Sequence, residues 1–322
     1  MVTSRVSTLA QQQLVTSNAL RTQRNVNDLQ VQIASGKKTQ SFSGIAEDAG
    51  RLVNLKSELS QAEQFIQNIS ITEKRLDLMA FAMDEIEDIA RKARTDFAGA
   101  LNGSAADDSQ LSLLAQASLD QVVEVLNTRD DSRFLFSGGA VQTKPVNLSN
   151  AAYTTPAPGS PPTFVQTVET GYYQGDAVVQ STRVDEGFNV SYGLNADESA
   201  FEKLIRTLDN VSNVTFTDPI TAQEKTFLTA AMAELTELID NNGVDKTLSD
   251  LRADVGLDRV VMDSIRDKHK DFLQFSQDSI AEIENIDPAE VITALNFEQL
   301  QLEASFTTIA RIQTLSLSNF LR

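Results

Sequence analysis

Long stretches of the chain repeat apolar residues at helical spacing. Residues 51–98 contain neither proline nor glycine, and apolar residues recur there every three or four positions. This period indicates one amphipathic helix, about 70 Å long at about 1.5 Å per residue. The same spacing predicts a second helix over residues 111–126 and a long apolar stripe over residues 248–272. Because long helices come from both halves of the chain, we predict a mainly α fold built on a long antiparallel helical rod.

Both ends of the chain carry an apolar seam of the coiled-coil type. Steps of four and three separate its N-terminal members, and steps of seven separate three of its C-terminal members. Asp287, Pro288 and Glu290 supply an N-cap, a first-turn proline and an acid at the third position for the C-terminal helix. We predict that the two ends pair as coiled-coil helices and that their seams form an assembly interface. Its predicted residues are Val15, Ala19, Val26, Leu29, Ile33, Leu295, Leu302, Phe306, Ile309 and Ile312.

Charge separates these ends from the rest of the protein. The chain carries 27 Lys and Arg against 45 Asp and Glu, a formal net charge of −18, but residues 1–36 hold three arginines against one aspartate. Residues 304–321 hold a single charge, Arg311, with apolar residues on every side. A helix wetted on one face carries more charge, so we expect this one to be surrounded by other helices. The alternative is a pair of fraying coiled-coil tails, although exposed tails usually carry Lys and Glu.

A different pattern fills residues 145–195. This segment holds five of the seven prolines, and β-branched residues alternate along residues 163–169 and 177–184, with a turn signal at 171–176. We predict a small inserted β domain. The predicted division is therefore a terminal helical domain of residues 1–36 with 288–322, a rod domain of residues 37–144 with 196–287, and a β-rich outer domain of residues 145–195.

Residues that could carry chemistry are sparse. There is no cysteine, and the one histidine, His269, lies in a charged helical stretch, where a solvated or core-facing ring is the ordinary role. Ser137-Gly138-Gly139 lacks the lysine of a phosphate loop. The acidic pairs at 107–108 and 130–131 are typical of solvated turns. We predict no catalytic residue, no metal site and no cofactor, and hence no enzyme.

Composition also bears on partners and location. A strongly acidic chain repels phosphate backbones, which argues against nucleic acid and anionic membranes as partners. No apolar run has the length of a membrane-spanning helix, and the N-terminus lacks the apolar centre of a secretory signal peptide. These features fit a cytoplasmic protein, and they fit equally a substrate of an uncleaved export route.

Several segments together resemble the flagellin superfamily. Residues 29–37 (LQVQIASGK) resemble the end of its N-terminal helix, and residues 126–139 (LNTRDDSRFLFSGG), followed by Thr143-Lys-Pro145, resemble its hook–filament junction branch. Residues 173–176 (YQGD) and the ending 302–321 are similar to that branch too, whereas residues 41–49 (SFSGIAEDA) are nearer to filament flagellins. The specific family motif is Phe134, Leu135, Phe136, Ser137 and Gly138.

The resemblance implies a secreted subunit of the extracellular flagellum, exported through the flagellar type III apparatus. It implies a junction adaptor whose partners are a hook-side junction protein, flagellin and copies of itself in a ring or filament, with room for an export chaperone. Two alternatives remain. One is a filament flagellin, and the other is a surface adhesin or glycan-binding protein with Tyr172 and Tyr173 as an aromatic platform, although a solvated strand tip would also explain these tyrosines.

Overall fold

The computed structural model describes the backbone of residues 2–41, 44, 47–103, 108–240 and 246–320, and the side chains of residues 10, 13–41, 44, 47–103, 108–240 and 246–312. Helices dominate this part of the chain, and two short antiparallel hairpins complete it. The predicted mainly α class, with long helices and a small β region, is confirmed. The helices are α1 (Val2–Ser35), α2 (Ala49–Leu101), α3 (Leu111–Leu126), α4 (Ser199–Ser212), α5 (Ala222–Asp240), α6 (Leu248–Glu284) and α7 (Pro288–Phe320). The strands are β1 (Arg129–Asp130), β2 (Arg133–Phe134), β3 (Gln180–Asp185) and β4 (Phe188–Tyr192).

Contacts group the chain into two compact units. The terminal unit comprises residues 1–61 and 271–322, and the central unit comprises residues 62–270. Residues 145–195 add Val146, Tyr172, Val184 and Tyr192 to the main apolar core of the central unit. The three-domain division predicted from the sequence stays a prediction.

Three ion pairs link α2 to α6 inside the central unit. The arginines on α6 are seven residues apart, so they share one face of the helix, and their acidic partners on α2 run in the opposite chain direction. This order makes the two helices antiparallel there. The Arg252 and Arg259 pairs are about half exposed and contribute only about 0–1 kcal/mol each, whereas the Arg266–Glu73 pair is largely buried. Together the three pairs fix the register of the two helices. The pairs are Arg252–Asp84 (2.6 Å), Arg259–Asp77 (2.9 Å) and Arg266–Glu73 (2.6 Å).

The predicted strand at residues 163–169 is wrong, because this segment pairs with helix side chains instead. Asn210 on α4 accepts a hydrogen bond from the N–H of Val165 at its Oδ1 (2.9 Å) and donates one from its Nδ2 to the carbonyl of Val165 (3.1 Å). The carboxylate of Glu202, about two turns earlier on α4, accepts the N–H of Glu169 (3.0 Å). Buried polar groups must find partners, and here the extended backbone and the polar face of α4 satisfy each other.

The second predicted strand, residues 177–184, is confirmed in part. The strand begins at Gln180 as β3 and pairs with β4, a strand that was not predicted from the sequence. The turn between them contains Gly187 at φ +72°, a left-handed conformation that glycine adopts at little cost.

Candidate assembly surface

Helices α1 and α7 pair along their length inside the terminal unit. Ala19, Thr22 and Val26 are buried on α1, and Asn25 donates from its side-chain amide to Glu298 Oε1 on α7 (3.1 Å). The predicted start of α7 is confirmed, since Asp287 Oδ1 accepts the N–H groups of residues 289 and 290 (2.8 and 3.4 Å). An N-cap of this kind satisfies amides that would otherwise lack an intrahelical partner.

Most of the predicted interface residues are at least partly covered within a single chain. Ala19 and Val26 are buried, whereas Ile33 and Phe306 are exposed. Their role between copies of the chain stays a prediction. The other six are half-buried: Val15, Leu29, Leu295, Leu302, Ile309 and Ile312.

A set of exposed apolar side chains, which we call the outer face, lies on the same two helices. Leu20 is 55% exposed, and Phe297 and Leu300 are each 66% exposed. Apolar residues occur on every side of α7 in the sequence, but of the outer-face residues only Phe306 was among those predicted from the seam pattern. The outer face consists of Leu14, Leu20, Val31, Ile292, Phe297, Leu300 and Phe306.

A polar joint connects the end of α1 to the break between α6 and α7. Lys38 N–H donates to the carbonyl of Glu284 (2.7 Å), and Ile286 N–H donates to the carbonyl of Gly36 (3.1 Å). The carboxylate of Glu284 accepts hydrogen bonds from the ammonium groups of Lys56 and Lys37, the one from Lys37 at 2.9 Å. Hydrogen bonds from Lys56 and Lys37 lower the pKa of Glu284 below its usual value. The joint therefore holds the two helix breaks of the terminal unit together through charge-assisted contacts.

The family motif of residues 134–138 is buried, and Asp176 closes a clasp around its end. Gly139 N–H donates to Asp176 Oδ1 (2.6 Å), and Asp176 N–H donates to the carbonyl of Ser137 (3.3 Å). Gly138 has φ +65°, and a Cβ there would overlap the carbonyl oxygen of Asp176. These contacts bring two of the segments that carry the resemblance, residues 134–139 and 173–176, into one structural element.

The tyrosines proposed as an aromatic platform are not available to a ligand as a pair. Tyr172 is 0% exposed and donates its hydroxyl to the carbonyl of Ala196 (3.0 Å), and the half-buried Tyr173 donates to the carbonyl of Asp176 (2.8 Å). Burial raises the pKa of both hydroxyls, and burial next to Asp209 raises the pKa of Tyr153. Tyr172 is therefore a core residue, and both hypotheses for it, a binding platform and a solvated strand tip, are wrong.

The remaining candidate residues have structural partners. His269 Nε2 lies 2.7 Å from the carbonyl of Val184, and Asp130 accepts a hydrogen bond from Arg75 (3.0 Å). Asp108 is buried, whereas residue 107 lies outside the described part of the chain. Within the ranges that the structure describes, no group of three or more His, Cys, Asp or Glu is placed to hold a metal ion. No described helix combines the length and apolarity needed to cross a membrane.

Comparisons with known proteins agree with the resemblance seen in the sequence. Residues 6–140 match the family model of the bacterial flagellin N-terminal helical region. No curated protein matches the chain. A flagellar hook-associated protein from Vibrio parahaemolyticus has a similar structure (TM-score 0.58, 16% identity), covering 75% of this chain and 100% of its own.

FlgL from Bacillus cereus is also similar in structure (TM-score 0.52, 16% identity), covering 72% of this chain and 99% of its own. At 16% identity the two structures support a shared fold, and the family model supports a flagellin-like N-terminal region. Residues 6–140 are therefore similar to the N-terminal helical region of bacterial flagellins, and the chain shares its fold with hook-associated proteins.

Proposed function

We propose that this chain is a structural subunit of the extracellular bacterial flagellum that joins the hook to the filament. The flagellin-like N-terminal region and the fold shared with hook-associated proteins support a flagellar structural role. Its partners are copies of itself, a hook-side junction protein and flagellin, and an export chaperone is a further candidate. The observation that carries the proposal is the outer face, an apolar surface on the paired chain ends that has no partner among the described residues.

The size of the outer face suits assembly among several copies. Fully burying one large apolar side chain is worth roughly 1.5–3 kcal/mol, so completing the burial of seven half-exposed ones gives roughly 5–10 kcal/mol. Association of two proteins costs about 4–15 kcal/mol in lost freedom and ordering. The net free energy of one such contact is therefore close to zero, whereas a subunit that contacts neighbours on two sides is bound stably. This is the behaviour that a ring at a junction requires.

A charge placed on the outer face tests this proposal. Phe297→Asp and Leu20→Asp should leave the α1–α7 pair intact, because both side chains point away from it, and should prevent attachment to hooks. Leu113→Asp on α3, where the leucine is 70% exposed, makes the same chemical change in the central unit and is the matched control. The readouts are secreted protein and filaments per cell by electron microscopy. Filaments in normal number on cells with either outer-face variant would refute the proposal.

A charge at Val26, one of the predicted interface residues, would test a different property. Val26 is buried against α7 within one chain. An aspartate there is an unpaired buried charge inside the monomer. We expect Val26→Asp to destabilise the terminal unit itself, so it cannot separate folding from assembly as the outer-face variants do.

A filament flagellin remains the second candidate, because residues 41–49 are nearer to that branch in sequence. The two functions differ in copy number and in the phenotype of a deletion strain. A junction adaptor is needed in a few copies, and its loss leaves hooks without filaments while flagellin is still secreted. If deletion instead removes the main protein of isolated filaments, the chain is a flagellin.

A further inference from the structure

A groove of about 430 Å³ runs along β3 in the central unit. One wall is formed by residues 178–182, and the other by residues 68–75 of α2 together with the loop after β2. Ile71, Val178 and Val179 are exposed there. The groove therefore combines polar lining residues with a few exposed apolar side chains next to the backbone of a strand.

The groove lies along an edge of the β3–β4 hairpin. Successive residues of a strand point to opposite faces of a sheet, so a cavity against one face is lined by alternate residues. Residues 178–182 are consecutive, and all of them line the groove. Among the described residues β3 pairs with β4 alone, so its other edge carries backbone groups without a strand partner.

Part of this edge is already covered. Asn68 donates to the carbonyl of Arg183 (3.4 Å), His269 contacts the carbonyl of Val184, and Val178 N–H donates to Asp176 Oδ1 (3.1 Å). The open stretch is therefore residues 179–182. Proteins usually protect an exposed strand edge beside apolar side chains, because such an edge pairs with other chains.

The charge of the groove differs from that of the rest of the protein. Two arginines, Arg75 and Arg133, lie among its described lining residues, and no aspartate or glutamate does, in a chain with a net charge of −18. Arg75 is partly neutralised by Asp130. Arg133 is exposed and has no acidic partner among the described residues. The groove thus combines an unpaired strand edge with local positive charge.

We propose that this groove binds an extended, acidic peptide segment of a partner protein, which adds a strand to the open edge of β3. The peptide backbone pairs with residues 179–182, its apolar side chains pack on Ile71 and Val178, and a carboxylate meets Arg133. Strand addition of this kind draws its affinity from main-chain hydrogen bonds and its selectivity from side-chain contacts. The site is separate from the outer face, so it adds a binding function to the proposed structural role.

The direct test uses a fluorescein-labelled peptide, Glu-Val-Glu-Val-Glu-Val, titrated with the full chain and followed by fluorescence anisotropy. We expect saturable binding that Arg133→Glu weakens about ten-fold, because a charge-assisted contact becomes a repulsion. Lys144→Glu makes the same change of charge on an exposed lysine outside the groove and should alter binding by less than about two-fold. A lysine-valine peptide of equal length should not bind.

A second peptide separates strand addition from simple attraction between charges. Methylating alternate backbone nitrogens of the acidic peptide removes the donors that an edge strand needs and leaves its charge unchanged. This peptide should lose binding. Equal binding of the methylated peptide, equal binding by the Arg133→Glu variant, or no binding of the acidic peptide would each overturn the proposal, because in every case either the edge or the arginine is irrelevant.

Discussion

Replacing Gly138 by alanine tests whether Asp176 and the family motif form a clasp that stabilises the central unit. Gly138 has φ +65°, where an alanine costs about 1–2 kcal/mol of backbone strain. Its Cβ would also overlap the carbonyl oxygen of Asp176 and lie 2.5 Å from Oδ1. Relieving this overlap moves Asp176 away from Gly139 and breaks a hydrogen bond to a charged group, worth about 1.5–3 kcal/mol. The expected loss of unfolding free energy is therefore roughly 3–5 kcal/mol.

Gly187 provides a matched control in the same unit. It has φ +72°, but a Cβ built there meets no atom within 4 Å. Gly187→Ala should therefore cost only the backbone strain, about 1–2 kcal/mol. The difference between the two variants isolates the contribution of the clasp from that of the left-handed backbone.

The composition of the chain makes the measurement selective. There is no tryptophan, and all four tyrosines lie in the central unit, so tyrosine fluorescence reports on that unit alone. Urea unfolding followed by this signal gives the free energy for each variant. If Gly138→Ala and Gly187→Ala lose the same free energy, the clasp contributes nothing and the motif is buried for another reason.

Three further predictions concern charge and buried polar groups. The lowered pKa of Glu284 means that its contacts with Lys37 and Lys56 stabilise the terminal unit fully at a pH above the ordinary pKa of 4.5. This stability is lost as the pH falls through the lower pKa of the folded state. Glu284→Gln should remove that pH dependence, measured by far-UV circular dichroism. Asn210→Leu should leave the N–H of Val165 unpaired and its carbonyl with only the long contact from Arg206 (3.5 Å). This should cost about 1–3 kcal/mol by tyrosine-monitored unfolding, and no loss would contradict the assigned contact. The raised pKa values of Tyr153, Tyr172 and Tyr173 imply stability that is fully present at a pH below the ordinary pKa of 10.0 and is lost as the pH rises further. An absorbance titration should therefore show fewer than four tyrosine hydroxyls ionising before the protein unfolds.

The long helices were predictable because their signal is local. Helix α2 covers Ala49–Leu101, against a prediction of residues 51–98, and the absence of proline and glycine with a regular apolar period was sufficient. The start of α7 was predictable for the same reason, since Asp287 caps amides only two and three residues away.

Helices α4 and α5 were missed, and the physical reason is visible in α4. Glu202, Arg206 and Asn210 are buried there, although polar residues at these spacings suggest a solvated face. They are buried because they bind one another and the extended segment at residues 163–169. A periodicity argument cannot foresee that a distant segment will cover a polar helix face, and this is also why that segment was predicted to be a strand.

The outer face was missed for a related reason. Both α1 and α7 carry more apolar residues than one seam needs, and the period of the pattern does not say which stripe pairs inside the chain. The heptad seam turned out to include the buried Ala19 and Val26, while Leu20 and Phe297 are exposed. Which stripe remains for other molecules depends on the pairing geometry of the two helices, and only the structure supplies it.

The distribution of charge bears on the proposed assembly through the chain ends. A net charge of −18 makes copies repel each other at low ionic strength, and this repulsion is screened over about 10 Å at 0.1 M salt. The outer face is apolar, so its burial is not weakened by that screening, and strongly excluded salts such as sulfate strengthen it. Salt should therefore promote association through the chain ends while it weakens the partly exposed ion pairs between α2 and α6 in the central unit. The acidic charge thus lies mainly in the central region, whereas the proposed assembly surface lies on the nearly neutral chain ends.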